Sequence, residues 1–186
     1  MIIGGLDTET TGLLKPEHRL IELHIGKWEL DGPMPTKQAE KTWRIHPDRS
    51  IDPKAQAVHN ITLDDLAGCP KLEQVIDEII AFMQGVDLWV AHNGEGFDKP
   101  FMRMEIERVA RQHLPWFDRQ KWFDTMLDGR WAHPWGKVPN LGELAWASDV
   151  EYDTTKAHAA DYDVNVMMKA FFFGTQRGFF NAIKLA

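Results

Sequence analysis

One cysteine, Cys69, occurs in 186 residues. No internal disulfide framework can therefore form, and a reducing, cytosolic setting is the expectation. No apolar run reaches the roughly eighteen residues a membrane helix needs, so a membrane partner is not expected. The apolar start, Met1 to Leu6, lacks positive charge and meets Asp7 too soon for a secretory segment. Repeats, polar linkers and low-complexity tracts are also missing. The chain is expected to form a single domain over residues 1–186, with a core at about 2–173 and an aromatic tail at 174–186. Positive charge is in deficit, 21 Lys and Arg against 28 Asp and Glu, for a formal net charge of −7. That argues against coating nucleic acid through a general positive field. It leaves room for a protein that grips only a few nucleotides, because carboxylates gathered around cations add to the bare negative charge.

What is present reads as strands first, then strands alternating with helices. Ile2 to Leu6 is an apolar strand with acids emerging at or beyond its end. Arg19 to Leu30 alternates with period two in its first half, placing Ile21, Leu23 and Ile25 on one face. Gly32-Pro33 turns the chain into a third strand at Lys41 to His46. Short helices fit Pro53–His59 and Leu63–Leu66. Leu72, Val75, Ile76, Ile79, Ile80 and Met83 repeat at three and four, an amphipathic helix ending near Gly85. A strand at Leu88 to Ala91 and a helix from about Lys99 to His113 follow. Next come an extended segment at Lys121 to Asp124, a Trp-rich loop at Gly129 to Pro139 and a short helix beginning at Leu141. A long helix from about Asp161 to Phe173 is interrupted by Gly174. The order implies α/β architecture with a mixed sheet flanked by helices.

The chemistry lies in scattered acids. Asp7 and Glu9, alternate residues on a strand, project to one side about 6 to 7 Å apart. Two acids flanked by apolar residues repel unless cations lie between them, although a solvent-facing strand end explains the pair alone equally well. Leu88 to Asp98 delivers His92 and Asn93 from a strand, then Gly94-Glu95-Gly96, then Phe97-Asp98 at a helix start. There Asp98 either caps the helix or turns toward the first pair. In His158-Ala-Ala-Asp-Tyr-Asp163, residues five apart diverge by about 140 degrees on a helix. A shared site therefore needs His158 in the preceding loop. Asp163 stands at the head of the stripe Val166, Met167 and Ala170, whereas Asp161 reads as a solvent-facing cap.

Taken together, Asp7-Thr-Glu-Thr-Thr-Gly12, His92-Asn93 with Phe97-Asp98, and His158-x-Ala160-x-x-Asp163 resemble the three exonuclease motifs of the DEDD superfamily. The likeness is to its histidine-containing branch, which includes polymerase proofreading subunits. Ile45-His-Pro, Ile51 and Ala57-Val-His-Asn-Ile-Thr62 add to a likeness running from about residue 2 to 173. Three residues, rather than two, separate Asn93 from Phe97, so Asn93-Gly94-x-x-Phe97-Asp98-x-Pro100 is closer to the exonuclease domain of family B polymerases. That departure bears on loop shape and substrate choice.

The resemblance implies a ribonuclease-H-like fold, two Mg²⁺ ions for which Mn²⁺ may substitute, and 3′-to-5′ release of nucleoside monophosphates. By motif position it makes Asp7, Glu9, Asp98 and Asp163 the metal carboxylates and His158 the general base. Backbone contacts to the 3′ end fall at Glu9 to Thr10, with Asn93 supporting the substrate. Hard oxygen ligands and an imidazole able to accept a proton suit that chemistry. Leu13, Leu14, Phe97 and Met102 are candidates to pack against an unstacked terminal base. Phe101 and Met102 serve a helix core equally well, and for Phe101 the core is the better reading. His92 and Asp124 are read as supporting residues. Lys99, Arg103, Arg108 and Arg111 face either phosphate or solvent. Trp131, Trp135 and Trp146 either anchor the irregular loop, the favoured reading, or line a groove. The expected substrate is a single-stranded DNA 3′ end, with a polymerase or replication protein as a candidate partner and the oligomeric state open. RNA trimming and a non-catalytic binding module are the competing functions. The aromatic tail is expected to fold back over the core.

Overall fold

The computed structural model describes residues 1–14, 16–32, 34–110 and 114–182. Five strands form one sheet in the order β3-β2-β1-β4-β5: β1 (Ile2–Thr10), β2 (Leu20–Glu29), β3 (Thr36–Arg44), β4 (Leu88–Ala91) and β5 (Lys121–Asp124). The first three pair antiparallel, and β4 and β5 run parallel to β1. This is the mixed sheet expected. Parallel strands need crossover connections, and helices supply them. Helices α1 (Pro53–His59), α2 (Leu63–Leu66) and α3 (Leu72–Met83) precede β4, while α4 (Asp98–Ala110) and α5 (Pro115–Arg119) lead to β5. A 3₁₀ turn at Asp128–Ala132, then α6 (Leu141–Ala147) and α7 (Ala160–Gln176), close the chain. Among the described residues no helix is long and apolar enough to cross a membrane.

The two sheet faces are covered differently. Leu6, Leu23 and Ile25 pack with Ile76 and Ile79 of α3 and Phe101 and Ile106 of α4. On the other face Ile3 and Val90 pack with Val164, Met168 and Phe171 of α7. The α7 contact is close enough to need Gly5, where a Cβ would come within 2.7 Å of the Met168 side chain. Asp7 and Glu9 share the strand parity of Ile3 and Gly5, so their face is the one α7 covers.

Several boundaries differ from the sequence expectation. β1 does not end at Leu6: it pairs through Asp7↔His24, Thr8↔Leu23 and Glu9↔Glu22, so the acids sit within the strand. Thr8 and Thr10 are buried there and take inward positions that apolar counting passes over. β3 starts at Thr36, five residues earlier than expected, because an edge strand held by backbone pairing to Trp28 and Glu29 shows no apolar rhythm. Gly174 does not interrupt α7, which continues to Gln176. A Cβ at Gly174 would lie 2.4 Å from Phe180, so the glycine makes room for the returning tail. Phe180 is 2% exposed and packs on Phe123 and Phe171, so the tail folds back over its described part. The Trp-rich loop contains the 3₁₀ turn, which its Pro and Gly content hid. The expected turn at Pro33 and the helix end at 111–113 lie outside the described residues.

Candidate active site

The end of β1, the start of α4 and the start of α7 bring the predicted acids together. Thr8 donates its hydroxyl to Asp98 Oδ1 at 2.6 Å, tying the first residue of α4 to β1. Asp98 is 3% exposed. On α7, Asp163 Oδ2 accepts the backbone N–H of His158 at 3.0 Å, and Oδ1 is buried without a hydrogen-bond partner among the described residues. His158 lies in the loop before α7, exposed, with a left-handed φ of 65°. That is the off-helix placement a shared site requires. For a side chain other than glycine this conformation is strained, at a cost on the order of 1 kcal/mol, and such strain collects at functional sites.

Burial raises the proton affinity of all four carboxylates, and at Asp7 and Glu9 the neighbouring acids raise it further. Asp7 is pushed well above the ordinary range by burial, then by Asp98, Glu9 and Asp163. Glu9 rises to about 8, through burial first and then Glu22, Asp163 and Asp98. Asp98 rises to about 7 through burial, partly offset by the Thr8 hydroxyl. Asp163 is also raised by burial, against the opposing N–H of His158. Among the described residues none of the four forms an ion pair with lysine or arginine. Hard oxygen donors that repel one another, one with an orphaned buried oxygen, suit a divalent cation. Among the described residues no three acid, histidine or cysteine side chains are placed so that they could hold an ion as they stand.

Supporting residues fix the surrounding loops. Asp124, at the end of β5, accepts the backbone N–H groups of Asn93, Glu95, Met126 and Leu127 at 2.9 to 3.1 Å. It thereby shapes the extra-residue loop between β4 and α4, with Asn93 held at a φ of 68°. His92 Nδ1 lies 3.0 Å from the Thr125 hydroxyl, and burial lowers the His92 pKa to about 4. Thr10 is buried, its hydroxyl bonded to the Gly12 carbonyl at 2.9 Å. Leu13 and Leu14 are 74% and 66% exposed beyond β1, and Phe97 is half-buried against Phe101.

Some assignments move. Met102 is 1% exposed and belongs to the core with Phe101, because its position on α4 faces the sheet; it is not a surface for a base. Lys99 pairs with Glu95, Arg103 with Glu107 and Asp118, and Arg108 with Glu105 and Glu73, so these cations are engaged within the protein. Arg111 lies outside the described residues. Trp131 anchors its loop by stacking on Phe179, but Trp135 and Trp146 are 87% and 84% exposed and anchor nothing. Residues 92, 93, 146, 158 and 163 share with Asp7 a cleft of about 1290 Å³.

Two features had gone unrecognised: Thr8, and Glu22 directly across the hairpin from Glu9. Glu22 is 4% exposed, bonded to Arg44 at 2.7 Å and to the N–H of Ala160 at 3.4 Å, so it ties α7 to the sheet. Only the hairpin register could have revealed Glu22.

An exonuclease family model, RNase_T, matches residues 5–171. DNA polymerase III subunit epsilon of Treponema pallidum is 31% identical over 172 residues, 90% of this chain and 73% of that protein. The Escherichia coli K12 subunit is 29% identical over 171 residues, 89% of this chain and 68% of its own. Among solved structures, E. coli exonuclease I with a dT13 oligonucleotide superposes with a TM-score of 0.77 at 17% identity, over 95% of this chain. This chain spans only 41% of that one. Exonuclease X with 5′-overhanging duplex DNA gives 0.62 at 24% identity, covering 95% of this chain and 93% of its own. At these identities the structural likeness establishes the fold.

Proposed function

The chain belongs to the RNase_T exonuclease family, and from that premise we propose that it is a 3′-to-5′ exodeoxyribonuclease releasing nucleoside 5′-monophosphates. Divalent-metal dependence goes with the family; Mg²⁺, with Mn²⁺ as a substitute, and a count of two are our assignment. The observation that carries it is the convergence of Asp7, Glu9, Asp98 and Asp163 without a lysine or arginine partner among the described residues. DNA as substrate, and a polymerase assembly as partner, are supported by relatives that are DNA polymerase III subunits.

In this reading the four carboxylates hold the cations. When bound, two ions lower the pKa of a water and stabilise the departing 3′ oxygen. His158, exposed on its loop, takes the proton from the attacking water. The water oxygen joins phosphorus as the P–O3′ bond breaks, leaving a 3′-hydroxyl on the shortened strand. Thr8 fixes the Asp98 carboxylate, and Asp163 holds the His158 loop through its N–H bond. Asp124 keeps Asn93 and Phe97 beside the reaction, while the backbone of Thr10 and the side chain of Leu13 receive the terminal nucleoside. Labelled DNA and RNA oligomers incubated with Mg²⁺ test the reading. DNA shortened from its 3′ end faster than RNA is expected; equal rates defeat the DNA preference, and no cleavage of either defeats the enzyme.

A further inference from the structure

The cleft that holds Asp7, His158 and Asp163 continues past the carboxylates to Trp146 on α6. Its indole is 84% exposed, whereas Leu144 and Ala145 of the same helix are fully buried. Asn140 and Glu143 cap the helix start reciprocally. Trp146 is thus held in place by a well-anchored helix while contributing little burial itself. Tyr152, half-buried and packed against Tyr162 at 6.0 Å between ring centres, lines the same cleft. Trp135 is equally exposed but lies outside the lining.

Charge narrows what this extension can hold. Among the described lining residues there is no lysine or arginine, and there are four acids, Asp7, Glu143, Glu151 and Asp163. Beyond the cations, a polyanion gains nothing here through its phosphates. It can gain through the faces of its bases, since aromatic side chains stack any unpaired base. Glu9, Thr10 and Leu13, where the exonuclease reading puts the terminal nucleoside, do not line this cleft. The rest of the strand must leave the scissile phosphate by another route, and the cleft is continuous with it.

Resting on that reading, we propose that Trp146 is a stacking platform for a base on the internal side of the scissile phosphate, selecting single strands several nucleotides long. A paired base is already stacked in its duplex and cannot occupy it.

The test uses one binding assay and one hydrolysis assay, both with Mg²⁺. A labelled DNA decamer with a non-cleavable methylphosphonate at its last linkage is titrated by fluorescence anisotropy. Trp146→Ala should weaken its binding about tenfold, the scale of one lost stacking contact. Trp146→Phe should keep most of the affinity, and Trp135→Ala should change it less than twofold. Hydrolysis of thymidine 5′-(p-nitrophenyl) phosphate, which has no internal base, should stay within twofold in Trp146→Ala. Unchanged decamer binding, an equal loss in Trp135→Ala, or an equal loss on the single-nucleotide substrate would overturn the platform. If the wild type hydrolyses neither the single-nucleotide substrate nor the cleavable DNA oligomers, the exonuclease reading fails, and the binding arm still decides the role of Trp146.

Discussion

Asp98 and Glu105 stand seven residues apart on α4, 3% and 1% exposed, and the fold treats them in opposite ways. Glu105 receives Arg108 through Nε at 2.8 Å and Nη2 at 3.1 Å, together with the N–H of Leu20 at 3.3 Å. Its countercharge is built in. Asp98 receives the Thr8 hydroxyl and faces other acids, and its pKa climbs to about 7. Desolvating a carboxylate costs several kcal/mol unless a cation compensates. An acid buried with its arginine is therefore part of the scaffold, and one buried among acids is waiting for a ligand.

The comparison breaks most sharply under substitution. Asp98→Asn keeps the size and the contact to Thr8 but removes the charge; cleavage should fall at least about a thousandfold, while the metal-free protein melts no lower than wild type. A lower melting temperature would mean that the Asp98 charge stabilises the scaffold after all. His158→Ala, scored by kcat on a DNA oligomer, should lose about a hundredfold or more. Its KM and its Mn²⁺ affinity should hold, because the residue handles a proton rather than an ion. At the other end of the helix, Arg108→Ala should cost about 3 kcal/mol in denaturant unfolding, the penalty for stranding a buried carboxylate. Activity per folded molecule should be preserved; a drop there would erase the distinction between the two acids.

The smallest effect is a pH dependence. Asp7, Glu9, Asp98 and Asp163 all have folded pKa values raised above their unfolded ones. The unfolded state then binds fewer protons than the folded state between about pH 4.5 and 8. Their contribution to stability is present at the acid end of that window and is lost as pH rises through the folded values. His92, lowered to about 4, works the other way below pH 6.5, as do His24 and His59, both lowered by burial. Metal-free protein should therefore lose melting temperature between pH 6.5 and 8.5, where the raised carboxylates titrate, and Mn²⁺ should restore it. Asp98→Asn should flatten the slope.

How legible this was depends on what each residue answers to. β4, α1, α2 and α3 follow from local apolar spacing and turn residues, and their limits came out as read. The acids and His158 were found together through the order and spacing of three motifs that resemble those of an exonuclease family, and the helix angle then required His158 to stand off the helix of Asp163. Thr8 and Glu22 answer to partners 90 and 138 residues away, which no local pattern encodes, and the choice between core and surface for Met102 is made by the sheet it packs against. The exposed pair Trp135 and Trp146 was misjudged for a related reason. A tryptophan in an irregular segment is usually an anchor, and only the packing shows which one, Trp131, found Phe179.

The central claim is that the uncompensated acids form a divalent-cation site. Calorimetric titration of Mn²⁺ into metal-free protein at pH 8 tests it directly, with Asp7→Asn as the partner sample. Saturable binding with proton release is predicted for the wild type, since Glu9, with a pKa of about 8, must ionise as the ion enters. Asp7→Asn should bind at least tenfold more weakly. Absence of saturable binding in the wild type, or equal affinity in the two proteins, would contradict the account.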